Sequence, residues 1–103
     1  MLPSHHMPAS LLLRVASTWA VPGLGLLALP TGPTPNLQPY DLHTALLVVA
    51  IAPDGARYDA TATVEEVTSD DAEGSNVRGL LLDFGLPVTL LPATEIWLAD
   101  ATR

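Results

Sequence analysis

Residues 11–30, LLLRVASTWAVPGLGLLALP, are the most apolar stretch of the chain, and a proline–glycine pair divides it near its middle. A transmembrane helix needs about 20 continuous apolar residues, whereas Arg14 and the Pro22-Gly23 pair interrupt this stretch. A secretory signal opens with basic residues, and residues 1–10 contain neither Lys nor Arg. We therefore expect the stretch neither to cross a membrane nor to direct secretion.

Alternation in the first half of the stretch predicts a β-strand with one buried face. Large apolar side chains occupy every second position except Ser17, namely Leu11, Leu13, Val15, Trp19 and Val21. Residues 21–24 place proline second and glycine third, as a type II turn requires, and residues 24–29 are predicted to return as a second strand. Trp19 and Trp97 are predicted to lie in the core or at its rim rather than to act as stacking platforms.

Length and composition limit the possible functions. A chain of 103 residues predicts one domain, which we place at residues 11–100, between a disordered lead (1–10) and a short tail (101–103). The absence of cysteine excludes disulfides and thiolate chemistry, and a reducing cytoplasm is the default location. Four basic residues against eleven acidic ones give a net charge of −7, which opposes binding to a phosphate backbone.

Turn signals divide the rest of the chain into further strands. The proline-dense residues 30–39 are incompatible with a helix or a central strand, so they predict a connecting loop, held against the core by Leu37. Residues 42–52 and 57–67 flank Pro-Asp-Gly at 53–55, which predicts a hairpin.

Three further features complete the predicted fold. A bulge at residues 65–66 is expected to turn both Val64 and Val67 inward. Residues 76–84 and 94–99 are predicted to be the last two strands, and Gly79 within the first of them indicates a close backbone approach. Six short strands without a helix predict a single closed antiparallel β-barrel, because closure removes exposed sheet edges.

The sequence contains no convincing catalytic group. His43 lies beside Asp41, an arrangement more typical of a surface pair than of a catalytic dyad. Glu65 and Glu66 are adjacent, so on a regular strand they point to opposite faces and cannot act as an acid–base pair. We therefore expect a protein that is not an enzyme and that uses no cofactor.

Two groups of residues could suggest a metal site, and neither has suitable spacing. Asp70, Asp71 and Glu73 do not follow the alternating-oxygen pattern of a calcium loop, so residues 68–75 are predicted to be a solvated acidic loop. The adjacent residues His5 and His6 have no third ligand nearby. No metal is expected.

The order of these segments resembles the second domain of the translational GTPases, the β-barrel typified by elongation factor Tu. Residues 11–25 are similar to the family's opening strand and Gly-Arg-Gly turn, and residues 39–41 stand where it has Val-Gly-Asp. Residues 64–67 match its Val/Ile-Glu pair, and residues 74–82 (GSNVRGLLL) resemble its Gly-Asp/Glu-Asn-Val-Gly-Leu-Leu-Leu segment. Residues 92–96 stand where the family's barrel closes.

The resemblance implies more about fold than about activity. No G-x-x-x-x-G-K-[ST] segment is present, so we expect no GTP binding. In elongation factor Tu this domain helps to hold the 3′ end of aminoacyl-tRNA, and Glu66 and Asn76 match two of the positions involved. Leu24 replaces the arginine of the family's turn, Tyr40 replaces a glycine, and Thr68 follows where an aromatic residue is expected, which would weaken RNA binding.

We therefore predict a stand-alone, non-catalytic module that binds a protein partner or associates with itself. Its expected binding surface is formed by Gly23, Leu24, Gly25, Glu66 and Asn76. The alternative is binding of an RNA end or a small ligand through the same pocket. Neither membrane binding nor general nucleic-acid binding is expected.

Overall fold

The computed structural model describes residues 10–68, 76–86 and 88–99, and within them it contains six β-strands and no helix. The strands are β1 (Leu11–Val21), β2 (Gly25–Pro30), β3 (Ala45–Ile51), β4 (Arg57–Thr68), β5 (Asn76–Asp83) and β6 (Glu95–Leu98). All neighbouring strands are antiparallel, and they close in the order β1-β2-β5-β4-β3-β6. The prediction of a closed six-stranded antiparallel barrel is confirmed.

Several predicted segments fall outside these ranges. The lead up to residue 9, nearly all of the acidic loop and the tail from residue 100 onward lie outside the described residues. In the part of the chain that the structure does describe, no helix is long and apolar enough to span a bilayer.

Strand β1 closes the barrel because it pairs with two neighbours in succession. Its first residues pair with β6, and its later ones pair with β2. The register shifts twice along the strand, between Leu11 and Leu13 on the β6 side and between Val15 and Ser17 on the β2 side.

The second shift reverses which side chains point inward. Thr18 lies opposite Ala28, which is fully buried, whereas Trp19 lies opposite Leu27 on the outer face. Trp19 is consequently 65% exposed. The prediction that Trp19 shares the buried face of Leu13 and Val15 is wrong, because the alternation does not continue through residue 16.

Both predicted turns are present with the expected chemistry. The amide of Leu24 donates to the carbonyl of Val21 over 2.9 Å, and Gly23 has φ = 80°. In the β3–β4 hairpin the amide of Gly55 donates to the carbonyl of Ala52 over 2.8 Å, with φ = 93° at Gly55. Each glycine therefore supplies the left-handed conformation that its turn needs.

Loops cover both ends of the barrel. At the end where β1 and β5 begin, residues 31–44 cross the core and bury Leu37 completely, as predicted. At the other end, where β1 turns into β2 and β5 finishes, residues 84–94 bury Leu90. The amide of Ala93 donates to the Val15 carbonyl over 2.8 Å, which fastens this second loop to β1.

The predicted bulge at residues 65–66 is wrong, because β4 pairs with β5 without interruption through that stretch. The extra residue lies instead at the entry to β3. The carbonyl of Val64 accepts from the His43 amide (2.7 Å), and the Val64 amide donates to the carbonyl of Thr44 (3.1 Å). His43 and Thr44 therefore both lie opposite the single residue Val64, which makes this a β-bulge. Val64 points inward, while Val67 remains half-buried on the outer face.

Gly79 lies where the backbones of β2 and β5 approach closely, as its position in the predicted strand indicated. A Cβ atom at Gly79 would stand 2.6 Å from the carbonyl oxygen of Ala28 and 3.0 Å from a methyl of Leu29. Gly32, in contrast, has nothing within 4 Å of such an atom.

Gly79→Ala should therefore destabilise the barrel by about 1–3 kcal/mol, since backbone atoms cannot yield as side chains do. Gly32→Ala is the matched control and should change stability by less than about 0.5 kcal/mol. Chemical unfolding followed by tryptophan fluorescence measures both. Equal losses in the two variants would contradict the close approach.

Leu81 and Leu82 test which face of β5 is the core. Leu82 is fully buried and lies opposite Leu26 and Ala62, whereas Leu81 is only half-buried on the outer face. Leu82→Ala should cost about 2–5 kcal/mol, and Leu81→Ala clearly less. Equal large losses in chemical unfolding would show that the outer face is also covered.

Candidate functional site

The β1–β2 turn and the end of β5 together form a groove. This groove, here called the turn groove, has a volume of about 550 Å³ and is lined by residues 20–26, 82–86 and 88–89. Most of its lining side chains are apolar. Leu24 and Leu86 are 63% and 66% exposed, so two large apolar side chains at this end face solvent.

Backbone geometry fixes the shape of the groove. Gly25 has φ = 136°, and a side chain there would collide with the backbone of Leu82, so the turn lies directly against β5. On the other side, Asp83 Oδ1 accepts the amide hydrogen of Gly85 over 2.9 Å. The ring of Phe84 meets Tyr58 edge-on, with centroids 6.3 Å apart. The groove is therefore built on well-anchored backbone.

An apolar row on the outer wall continues from the groove. Trp19 lies opposite Leu27, which lies opposite Leu81, so the three side chains share the outer face of β1, β2 and β5. Trp19 lies two residues before Val21, on the same face of β1, and Val21 lines the groove. Together the groove and this row form one exposed apolar area at the turn end of the barrel.

A second, smaller groove meets the turn groove at Asp83. It has a volume of about 380 Å³ and is lined by Leu47, residues 59–61 and residues 83–85. Leu47 is 63% exposed. Residues 83–85 line both grooves, so the end of β5 forms a ridge between them.

The five predicted site residues do not lie on one surface. Gly23, Leu24 and Gly25 line the turn groove, but Asn76 is the first residue of the eight-residue strand that ends at this groove. At about 3.3 Å per residue, the two ends of that strand are roughly 23 Å apart. Glu66 lies opposite Arg78, near Asn76, so these two predicted residues remain close to one another.

Asn76 lines a separate cavity of about 350 Å³ at the far end of the barrel, together with Gln38, Arg78 and residues 30–34. Its Oδ1 accepts a hydrogen bond from the Thr68 hydroxyl over 3.1 Å. The Arg78 guanidinium donates to the backbone carbonyl of Tyr40 over 2.6 Å. The arginine therefore helps to hold the covering loop in place.

His43 interacts with Glu65 rather than with Asp41. Its Nδ1 is 3.3 Å from Oε2 of Glu65, the oxygen that also accepts from the Thr63 hydroxyl over 2.8 Å. Nucleophilic catalysis needs the hydroxyl to donate to the imidazole, and here it donates to the carboxylate. His43 has φ = 69°, a conformation imposed by its place in the bulge before β3.

No group of three or more His, Asp and Glu side chains is positioned to hold a metal ion within residues 10–68, 76–86 and 88–99. His5 and His6, and the acidic residues 70, 71 and 73, lie outside the described residues, so the predictions about them remain predictions.

Sequence reasoning did not identify Asp83, Leu86 or Trp19 as part of an exposed surface. The length of β5 was the signal that the predicted site residues lie on separate surfaces. Asn76 and the Leu run that follows it already defined a strand too long for both of its ends to line one small pocket. For Trp19, the signal was Ser17, the one position that broke the alternation.

No protein-family model matches this chain, and no curated protein or solved structure matches it either. The resemblance to the second domain of elongation factor Tu therefore stays a prediction.

Glu95 has a pKa below its usual value of 4.5, chiefly because it accepts a hydrogen bond from Arg14 and, to a lesser extent, one from the indole of Trp97. The guanidinium nitrogen of Arg14 is 2.8 Å from Oε2, and the indole nitrogen is 3.0 Å from Oε1. This ion pair joins β1 to β6, where the barrel closes, and lies outside the turn groove.

A carboxylate whose pKa is lowered by folding contributes stability above its unfolded-state pKa and loses it as the pH falls through the folded-state value. Glu95→Gln should therefore be less stable than the wild type by a few tenths of a kcal/mol at about pH 7, since the pair is solvent-exposed. The difference should shrink as the pH falls below 4.5 and vanish once the pH is below the folded-state pKa. Urea unfolding across this range measures it, and a difference that persists in acid would contradict the assignment.

Proposed function

We propose that this barrel is a non-catalytic binding module that docks a protein partner, or a second copy of itself, at the turn groove. The observation that carries the proposal is the pairing of a sizeable groove with Leu24 and Leu86, two large apolar side chains that are about two-thirds exposed. Contiguous exposed apolar surface on a small protein is typical of an interaction site.

Trp19 strengthens this proposal. Tryptophan is among the residues that most often dominate binding energy at protein interfaces, because it offers a large rigid surface with an N–H donor. Here it extends the apolar area from the groove on to the outer wall, beside Leu27 and Leu81. A partner segment lying across the β1–β2 turn could contact both.

The hydrogen-bond pattern around His43 supports a non-catalytic role. The Thr63 hydroxyl and the imidazole both approach the carboxylate of Glu65, so the imidazole is not placed to activate the hydroxyl. This cluster is better explained as a structural contact that holds the bulge before β3 against β4.

Binding of an RNA end or a small polar ligand is the second candidate, at the cavity lined by Gln38, Asn76 and Arg78. Glu66 and Asn76 lie together at that end, as the resemblance to the translational barrel would require. We favour the turn groove, because the guanidinium of Arg78 is engaged by the Tyr40 carbonyl and Glu66 adds negative charge beside it. The proposed location is the cytoplasm, the default for a chain without cysteine.

Selection of peptides against the intact barrel tests the proposal. A random peptide library displayed on phage should yield binders whose affinity falls about tenfold on Leu24→Ser or Leu86→Ser, the effect of removing a central apolar contact. Leu91→Ser is the matched control, because Leu91 is 53% exposed but does not line the groove. Sedimentation equilibrium of the same variants tests self-association at that surface.

Binders that retain full affinity for both groove variants would place the interaction elsewhere and contradict the proposal. The proposal would also be contradicted if the library gave no enrichment and the wild type remained monomeric at all concentrations. Unfolding midpoints of the variants, measured alongside, separate a lost contact from a lost fold.

A further inference from the structure

The acidic residues that border the two grooves have no basic side chain beside them in either lining. Among the residues that line the turn groove and the neighbouring smaller groove, the charged ones are Asp83 and Asp59. Asp83 lies on the ridge between the grooves, and Asp59 lines the smaller one. Both charged side chains in the two linings are therefore acidic, and the basic Arg57 lies two residues before Asp59 on the same face of β4.

A hydrogen bond from the backbone holds the Asp83 carboxylate in place, where it can contact a bound molecule. Its Oδ1 accepts the Gly85 amide hydrogen over 2.9 Å, which fixes the carboxylate at the start of the loop. A carboxylate has about four acceptor positions, and Asp83 is exposed, so it retains capacity for a further donor. Its cross-strand partner is Thr61 on β4, which leaves the carboxylate without a charged neighbour directly opposite.

Asp59 lies on the same outer face as Asp83, diagonally across β4 and β5. Thr61 is opposite both Asp83 and Leu47, and Asp59 is two residues before it, which places diagonal neighbours about 7–8 Å apart at the backbone. The exposed side chain of Leu47 lines the same small groove as the two aspartates, with Thr61 between it and Asp83. A lysine or arginine placed over Leu47 could reach either one.

The basic residues of the barrel lie elsewhere. Arg14 is bound to Glu95, and Arg78 lies at the opposite end, bound to the Tyr40 carbonyl. Arg57 lies opposite Ile51, beyond Asp59 and on the side away from Asp83. None of these three lines either groove.

We propose that the partner is a cationic amphipathic peptide segment, whose apolar side chains fill the turn groove while a Lys or Arg contacts Asp83. This inference rests on the proposed function and specifies the chemistry of the partner. Charge complementarity favours such a segment over a second copy of this chain, which would bring another net charge of −7 to the same acidic border. Nucleic acids and anionic bilayers are disfavoured by the same repulsion.

The composition and charge sensitivity of the selected peptides test the inference. Peptides that depend on Leu24 and Leu86 should be enriched in Lys and Arg next to apolar residues. Synthetic versions with Gln at the basic positions should bind about tenfold more weakly at low salt, and this difference should shrink at about 0.5 M salt, where screening is strong.

Asp83→Asn supplies the site-specific measurement. It should weaken a selected basic peptide about threefold, within the range of exposed charge pairs, while leaving the affinity of the Gln version unchanged. Asp54→Asn is the matched control, because Asp54 also accepts a backbone amide two residues on (Ala56, 3.0 Å) and the change in net charge is identical. Asp54 lines neither groove, so its variant should bind like the wild type.

The outcomes separate the two proposals. Groove-dependent peptides that lack basic residues, or that ignore Asp83→Asn, would overturn the cationic partner and leave the binding module standing. An equal loss in the Asp83 and Asp54 variants would also overturn it, because it would show a general charge effect. A dimer that forms without peptide and dissociates on Leu24→Ser would identify a second copy as the occupant. The absence of any groove-dependent binding would overturn both proposals.

Discussion

The structure depends on one constraint, which is that β1 must pair with two neighbouring strands. It pairs with β6 along its first residues and with β2 along its later ones, and without this double pairing the six strands would be an open sheet with two exposed edges. A strand that turns from one neighbour to another cannot keep a regular register, and β1 accordingly shifts twice. The Arg14–Glu95 pair and the bonds of Val15 with Ala93 and Thr94 fasten the strand where the change takes place.

A closed barrel of only six strands has a narrow interior, and the core side chains match it. The strand positions whose apolar side chains have no exposed surface combine small residues with larger ones; they are Ala28, Ala50, Ala62, Val64, Leu80, Leu82 and Ile96. Small residues lie opposite larger ones on the neighbouring strand, as in the pairs Ala28–Leu80, Ala50–Ile96 and Ala62–Leu82. Strands β2 and β5 also approach so closely that a Cβ atom at Gly79 would stand 2.6 Å from the carbonyl oxygen of Ala28.

Residue types at single positions predicted the local structure, and the errors came from the pairing register between strands. The two turns, the loop anchored by Leu37 and the close approach at Gly79 follow from residue types at single positions, which the sequence displays directly. Trp19 was misplaced because a shift in pairing between β1 and β2 reverses the alternation, and that shift depends on the neighbouring strand. The candidate site was only half predicted for a related reason. Its turn residues were found, whereas Asp83 and Leu86 join them only through the pairing of β2 with β5, which has no local signature.

The irregularity that closes the barrel also creates its exposed apolar area. Had the alternation continued past residue 16, Trp19 would have pointed into the core. The register shift turns it outward instead, beside the groove that the β1–β2 turn forms with β5. Exposed tryptophan and leucine side chains promote aggregation in a neutral protein, and a net charge of −7 opposes the association of like copies. The cationic partner proposed above would offset this negative charge while its apolar side chains cover the exposed area.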